Sequence, residues 1–323
     1  MNNFWQKLKK KKGNKPILVL APMADVTDAA FRQIITKYGK PDVFWTEFVS
    51  ADGLVLAPAE GKKHLLEAFK FTKKEKPIVA QIFGSKPENI EKAASMIQKL
   101  GFDGLDLNMG CPDRTIEKQN SGASMIKNPE LAKQVILAAM RGATKIPVSV
   151  KIRLGYNKDD LENWLSIILS TNPAVVTVHA RTRKEMSKVP ARWSRIKDAV
   201  KIRDFLKSET LIFGNGDVVS VSDAITKKNE TGCDGVMVGR GIFGKPWFFS
   251  NKNPDLKTRL KILIEHIDFF DKIIEYKNFA VMKKHFKAYV EGFDGAKDLR
   301  VKLMMTNSAI EAKKIIKDFI KTI

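Results

Sequence analysis

Residues 147–179 read PVSVKIRLGYNKDDLENWLSIILSTNPAVVTVH. Two short runs rich in β-branched residues, Pro147–Arg153 and Ala174–His179, flank a segment of helical period over Asp159–Ser170. Strand, helix and strand in about 30 residues is the βαβ unit of a parallel sheet. The same rhythm runs outward in both directions. Further strands are predicted at Ile17–Ala21, Val43–Phe48, Ile78–Phe83, Gly104–Asn108, Leu211–Gly214 and Gly235–Gly239. Helices are predicted at Asp28–Tyr38, Pro87–Leu100, Pro129–Arg141 and Ser220–Asn229. Pro87 and Pro129 stand at helix starts, where a missing N–H costs little. The long connection Ser50–Lys76 is expected to carry its own short helix. Eight strands with intervening helices over ~230 residues predict an α/β fold, a (β/α)8 TIM barrel. A doubly wound open sheet is the competing architecture, because strand count alone does not establish closure.

The flanks differ in texture. The first ~15 residues form a basic arm with a lysine run, Lys9 to Lys12, and termini of this kind fray by default. Phe4 and Trp5 are its candidates for docking on the body or touching RNA. After Phe249, Asn251-Lys252-Asn253-Pro254 reads as a linker. Apolar residues then recur at helical spacing (Ile264, Ile267, Phe270, Ile274; Ile315, Ile316, Phe319, Ile320), predicting a small C-terminal helical domain of three or four helices. Lys283, Lys284 and Lys287 are expected on one helix face near His285 and Tyr289. The organisation predicted is an arm at 1–15, a barrel at 16–250 and a helical domain at 251–323.

Composition narrows the partners. Across 323 residues, 57 Lys+Arg against 36 Asp+Glu give a net charge of +21. Such an excess favours a polyanionic partner, either nucleic acid or an anionic membrane surface, and a Lys-rich solvated surface is the competing reading of composition alone. No apolar run approaches the ~18–20 residues of a membrane span. Two cysteines, Cys111 and Cys233, make no disulfide scaffold and fit a reducing, cytoplasmic compartment. The four histidines lack metal-ligand spacing, so no metal is expected.

In a barrel, chemistry gathers where strands end. Those ends read Ala21-Pro22-Met23-Ala24, Gln81, Asn108-Met109-Gly110-Cys111-Pro112, Lys151-Ile152-Arg153, His179-Ala180-Arg181-Thr182, Gly214-Asn215-Gly216-Asp217 and Gly239-Arg240-Gly241. The last two loops are glycine-rich and suit a phosphate, with Arg240 as a paired cation. Lys151, at the end of a buried strand, calls for an anion or an electron-rich ring nearby. A Schiff-base lysine is the rival reading. Three cations, Lys151, His179 and Arg181, on one rim suit an electron-rich ligand. Cys111, fixed between Gly110 and Pro112, suits a proton donor or nucleophile. Cys233 is expected in the core.

Taken in order, these residues resemble the flavin-dependent tRNA-dihydrouridine synthases over residues ~16–250. The resemblance is carried by Ala21–Ala24 with Thr27-Asp28 and Phe31-Arg32, by Gln81-Ile82-Phe83-Gly84, and by Asp106-Leu107-Asn108-Met109-Gly110-Cys111-Pro112 with Ser121-Gly122-Ala123. Lys151-Ile152-Arg153, His179–Arg183, Asn215–Asp217 and Gly235–Gly241 complete it. The helical tail is consistent with that family's RNA-binding domain. Two departures concern the substrate loops: Arg114 stands where the family often has lysine, and Met186–Arg192 lacks the usual tyrosine-and-glycine pattern.

The resemblance implies FMN in the barrel mouth, NADPH as reductant and uridine in tRNA as substrate. Pro22, Met23 and Ala24 would line the flavin ring, and Gln81, Lys151 and His179 would meet its polar parts. Asn215, Gly216, Asp217, Gly239 and Arg240 would hold the ribityl chain and phosphate. Hydride would reach C6 of uracil from the reduced flavin, with Cys111 protonating C5. Asn108, Arg153 and Arg181 fall to the substrate, with Asn108 on the uracil edge. Alternatives are the same chemistry on ribosomal RNA, an FMN barrel acting on a free pyrimidine such as a dihydroorotate dehydrogenase-like enzyme, a non-catalytic RNA-binding protein, and a Schiff-base lyase.

Overall fold

The computed structural model describes residues 3–323. Its strands are β1 (Ile17–Leu20), β2 (Phe44–Ser50), β3 (Ile78–Phe83), β4 (Gly104–Met109), β5 (Val148–Arg153), β6 (Val175–His179), β7 (Leu211–Asn215) and β8 (Gly235–Val238). All pair in parallel in the order β1-β8-β7-β6-β5-β4-β3-β2. The seam between β1 and β2 is a bridge of Val19 with Val43, bonded Asp42 N–H to Leu18 O at 2.8 Å and Leu20 N–H to Val43 O at 3.2 Å. That seam turns the sheet into a barrel and removes its free edges.

Side chains split by the two-residue period of a strand. Leu20, Ile78, Ala80, Leu105, Val150, Val176 and Ile212 point outward, into the core shared with the surrounding helices. Ile17, Val19, Trp45, Val79, Val175, Leu211 and Phe213 point inward and fill the N-terminal half of the barrel. Further along, the inward positions turn polar: Gln81, Asp106, Asn108, Ser149, Lys151, Thr177 and His179. The interior is thus an apolar floor under a polar mouth.

The N-terminal segment does not fray. Phe4–Lys12 is a helix capped by the Asn3 side chain, which accepts from Trp5 N–H at 3.0 Å. Trp5 is buried in the barrel floor, its ring centroid 5.5 Å from those of both Trp45 and Phe213. Lys9 pairs with Asp234 and Lys12 with Asp42 at the barrel's rim. Burying an indole outweighs the freedom of a short basic segment. The β2–β3 connection carries two α-helices, Ala51–Leu56 and Ala59–Glu67, where one was expected.

The C-terminal region contains four α-helices: Leu256–Ile273, Met282–Tyr289, Ala296–Met305 and Ala309–Ile320. It shares a core with the barrel, in which Leu260, Leu263 and Ile267 pack with Ala30 and Ile34 of helix Ala29–Tyr38 and with Trp247. On Met282–Tyr289, Lys284 and Lys287 face out, but His285 and Tyr289 are fully buried. His285 packs with His266 against Phe31, so these rings belong to the core and not to the lysine face. Among the described residues no helix is long and apolar enough to cross a membrane.

Candidate active site

The polar mouth opens into a cavity of about 650 Å³ at the strands' C-terminal ends. Every residue singled out above for catalysis, cofactor or substrate lines it except Ala24, which lies exposed on the loop after β1.

A hydrogen-bonded chain rises from the barrel interior to the cysteine. Asp106, fully buried, accepts from Ser149 Oγ and from Gln81 Nε2, the latter at 2.6 Å. Burial pushes its carboxyl up to about 6, against the pull of those two donors. Gln81 Oε1 accepts from Asn108 Nδ2 at 3.1 Å, and Asn108 Oδ1 accepts from the backbone N–H groups of Gly110 (3.2 Å) and Cys111 (3.0 Å). Asn108 therefore shapes the loop that presents the thiol. Gly122 closes the loop from behind. It has φ +63°, and a Cβ there would stand 2.7 Å from Cys111 O, which the neighbouring Ala123 N–H binds at 2.9 Å. Cys111 is half-buried, and burial raises its thiol above the usual range, so it is protonated at neutral pH.

Lys151 faces the cavity with no carboxylate within ion-pair distance among the described residues. Burial, then repulsion from Arg153, holds its ammonium down to about 8. Arg153 donates from Nε to Gly110 O at 2.7 Å and from Nη1 to Thr182 O (3.0 Å) and Met186 O (3.1 Å), tying the cysteine loop to the loop after β6. A second tie runs between the same loops: Arg183 Nε donates to Glu117 at 2.8 Å.

His179 is held neutral by burial and by Lys151, Arg153, Arg181 and Arg240. Arg181 Nη1 lies 3.2 Å from His179 Nε2. A guanidinium only donates, so Nε2 accepts and the ring proton sits on Nδ1. The other Arg181 nitrogens go to Val189 O (2.6 Å) and Asp217. Asp217 also accepts from Arg240 at 2.9 Å and from Ala191 N–H at 2.9 Å. Burial opposes its ionisation, yet Arg181, Ala191 and Arg240 together hold it below the usual carboxylate range. Asn215 Nδ2 donates to Met237 O at 2.8 Å, fixing β7 on β8. Gly216 has φ +126°, and a Cβ there would press on Ala191 Cβ at 2.8 Å.

Similarity to known proteins decides the family. The sequence model described as "Dihydrouridine synthase (Dus)" matches residues 19–323. The chain belongs to the dihydrouridine synthase family. It is 40% identical over 322 residues to the "Probable tRNA-dihydrouridine synthase 2" of Bacillus subtilis (strain 168), covering 98% of this chain and 96% of that one. A "Probable tRNA-dihydrouridine synthase" of Staphylococcus aureus (strain MRSA252) is 38% identical, covering 98% and 95%. Among solved structures, morphinone reductase in complex with tetrahydroNAD matches with a TM-score of 0.51 at 12% identity, covering 75% of this chain and 90% of that one. Histamine dehydrogenase from Rhizobium sp. 4-9 matches with 0.53 at 12% identity, covering 78% and 49%. At such identity these two show the barrel fold alone.

Several further residues belong to the site. Asp106 and Ser149 organise the polar chain, and their inward strand phase was the available signal. Phe48, Ser187 and Val219 also line the cavity, from a strand end and two loops. Nothing local in the sequence marks Ser187 or Val219.

Proposed function

We propose that the chain reduces the C5–C6 double bond of uridines in tRNA, with FMN bound in the barrel mouth and NADPH as reductant. The observation that carries this reading is the pairing, across one cavity, of an unpartnered ammonium and a protonated thiol. Lys151 lacks a carboxylate of its own and suits the electron-rich edge of a flavin. A cavity of about 650 Å³ lies in the range of cofactor sites. Gly239 supports the fit: a Cβ there would meet Ala21 and Met23 no closer than 3.8 Å, so the protein's own packing leaves that space open. Pro22 and Met23 would face the ring, and Gln81, Lys151 and the His179 Nδ1–H would meet its polar atoms. Asn215, Gly216, Gly239 and Arg240 would hold the ribityl phosphate, with Asp217 orienting Arg240.

Bound there, FMN supplies the hydride that C6 receives. Cys111 supplies the proton for C5, and its raised thiol keeps that proton available at neutral pH. Asn108 and Arg153 hold the thiol's loop from opposite sides. The remaining Asn108 Nδ2 proton is free for the uracil edge. Arg181 keeps the His179 ring in one tautomer. A uracil must leave the RNA stack to enter the mouth. The net charge of +21 and the exposed Lys284 and Lys287 give phosphate affinity that does not depend on sequence.

The test is a map of dihydrouridine across total RNA from cells with and without the gene, together with the visible spectrum of the purified protein. Loss of dihydrouridine at tRNA sites and a yellow protein are expected. Unchanged tRNA, loss confined to ribosomal RNA, or reduction of free uracil at comparable rate would overturn the reading.

A further inference from the structure

One buried ionic cluster joins the helical region to the cavity wall. Glu47 lies on β2 where its register against β3 slips, between Trp45 and Phe48. Its side chain is 7% exposed. One carboxylate oxygen accepts from Asp25 N–H at 2.5 Å. Lys277, just after helix Leu256–Ile273, donates to both Glu47 oxygens at 2.7 and 2.9 Å and pairs with the Asp25 carboxylate at 3.0 Å. Asp25 stands at φ +54°, a left-handed conformation that a non-glycine residue adopts only when its surroundings fix it.

Asp25 is two residues past Met23, which lines the cavity. Besides the Asp25 N–H bond to Glu47, the same loop has two further ties within the barrel. Met23 N–H donates to Thr27 Oγ1 at 2.9 Å. Arg32, fully buried and paired with Glu75 at 2.7 Å, donates to Thr27 O at 2.8 Å. The ties from the helical region come from Lys277, 230 residues away from Glu47 in the chain, and more weakly from Lys284, whose Nζ lies 4.0 Å from the second Asp25 carboxylate oxygen. Lys277 also offsets a concentration of buried acid, since Asp28 is buried beside Glu47 with one oxygen unpartnered. Replacing such a pair by apolar residues of similar volume is often neutral for stability, so its effect lies in geometry.

We infer that Lys277 and Glu47 are a positioning pair through which the C-terminal helical region holds the Met23 loop in the shape that receives the cofactor. This rests on the FMN site proposed above. The test compares Lys277→Met, the double variant Glu47→Met/Lys277→Met, and Lys277→Arg, reading FMN affinity by flavin fluorescence and melting temperature separately. Lys277→Met leaves Glu47 buried without its cation, so both readouts fall. The double variant removes both charges. Its melting temperature recovers, but FMN affinity stays weaker by about tenfold, the scale expected when a binding site loses its supporting contacts. Lys277→Arg keeps wild-type affinity. A double variant that binds FMN like wild type overturns the inference, because affinity would then follow stability alone. Hydrogen exchange on the wild-type protein gives a check without substitution. FMN is expected to slow exchange at residues 22–28 and 274–278 together, and slowing at 22–28 alone counts against the pair. A wild-type protein that takes up no FMN would instead sink the cofactor assignment itself.

Discussion

Replacing Lys151 by methionine should stabilise the FMN-free protein while weakening its hold on FMN. The ammonium faces the cavity without a carboxylate partner, and burial lowers its pKa from 10.5 to about 8. At about 1.4 kcal/mol per unit, keeping it charged in the folded state costs about 3 kcal/mol. The sign follows from proton counts. Between pH 8 and 10.5 the unfolded chain holds this proton and the folded chain has released it, so stability rises with pH through that window. Below pH 8 both states are charged and the full penalty applies. Lys151→Met, similar in length and uncharged, removes it. Urea unfolding of FMN-free protein should therefore show the variant more stable by up to about 3 kcal/mol at pH 7, the gap closing to under about 1 kcal/mol by pH 10. Flavin titration of the same variant should show weaker binding, because the ligand's partner is gone. A variant no more stable than wild type at pH 7, or a gap that persists at pH 10, would refute the reasoning.

Cys111→Ala should bind FMN normally and lose uridine reduction by about 10²–10⁴-fold, the range for a missing general acid. In wild type, single-turnover reduction of RNA should hold through neutral pH and fall on the alkaline side as the raised thiol loses its proton; a fall on the acid side would remove the assignment. Trp5→Ala should cost about 3–5 kcal/mol in denaturant unfolding, the range for deleting a buried aromatic, with FMN affinity unchanged. A loss under about 1 kcal/mol would mean that the N-terminal helix does not plug the barrel floor.

Local pattern carried the strands, most helices and the ordered motifs at the strand ends. The two-residue alternation of β3 to β8 already places Gln81, Asn108, Lys151, His179 and Asn215 on one inward phase, because strand geometry leaves no other choice. A motif such as Asn108–Pro112 is legible for the same reason: its chemistry is held within a few residues. The N-terminal arm was misread because lysines 9 to 12 dominate its composition, while its fate is set by one indole meeting Trp45 and Phe213 from other strands. His285 and Tyr289 looked like partners of a basic face, yet one helix presents two faces, and only contact with Phe31 and Trp247 shows which is buried.

The chain's own order of residues determined an eight-strand rhythm, the polar strand ends and the thiol in its tight loop, since each depends on neighbours a few positions apart. Tertiary structure alone decided that the sheet closes through Val19 and Val43, that Arg153 and Arg181 bind protein groups, and that Lys277 reaches Glu47. Those facts rest on groups brought together from distant parts of the chain, and a pairing across 230 residues leaves no periodic trace in the sequence.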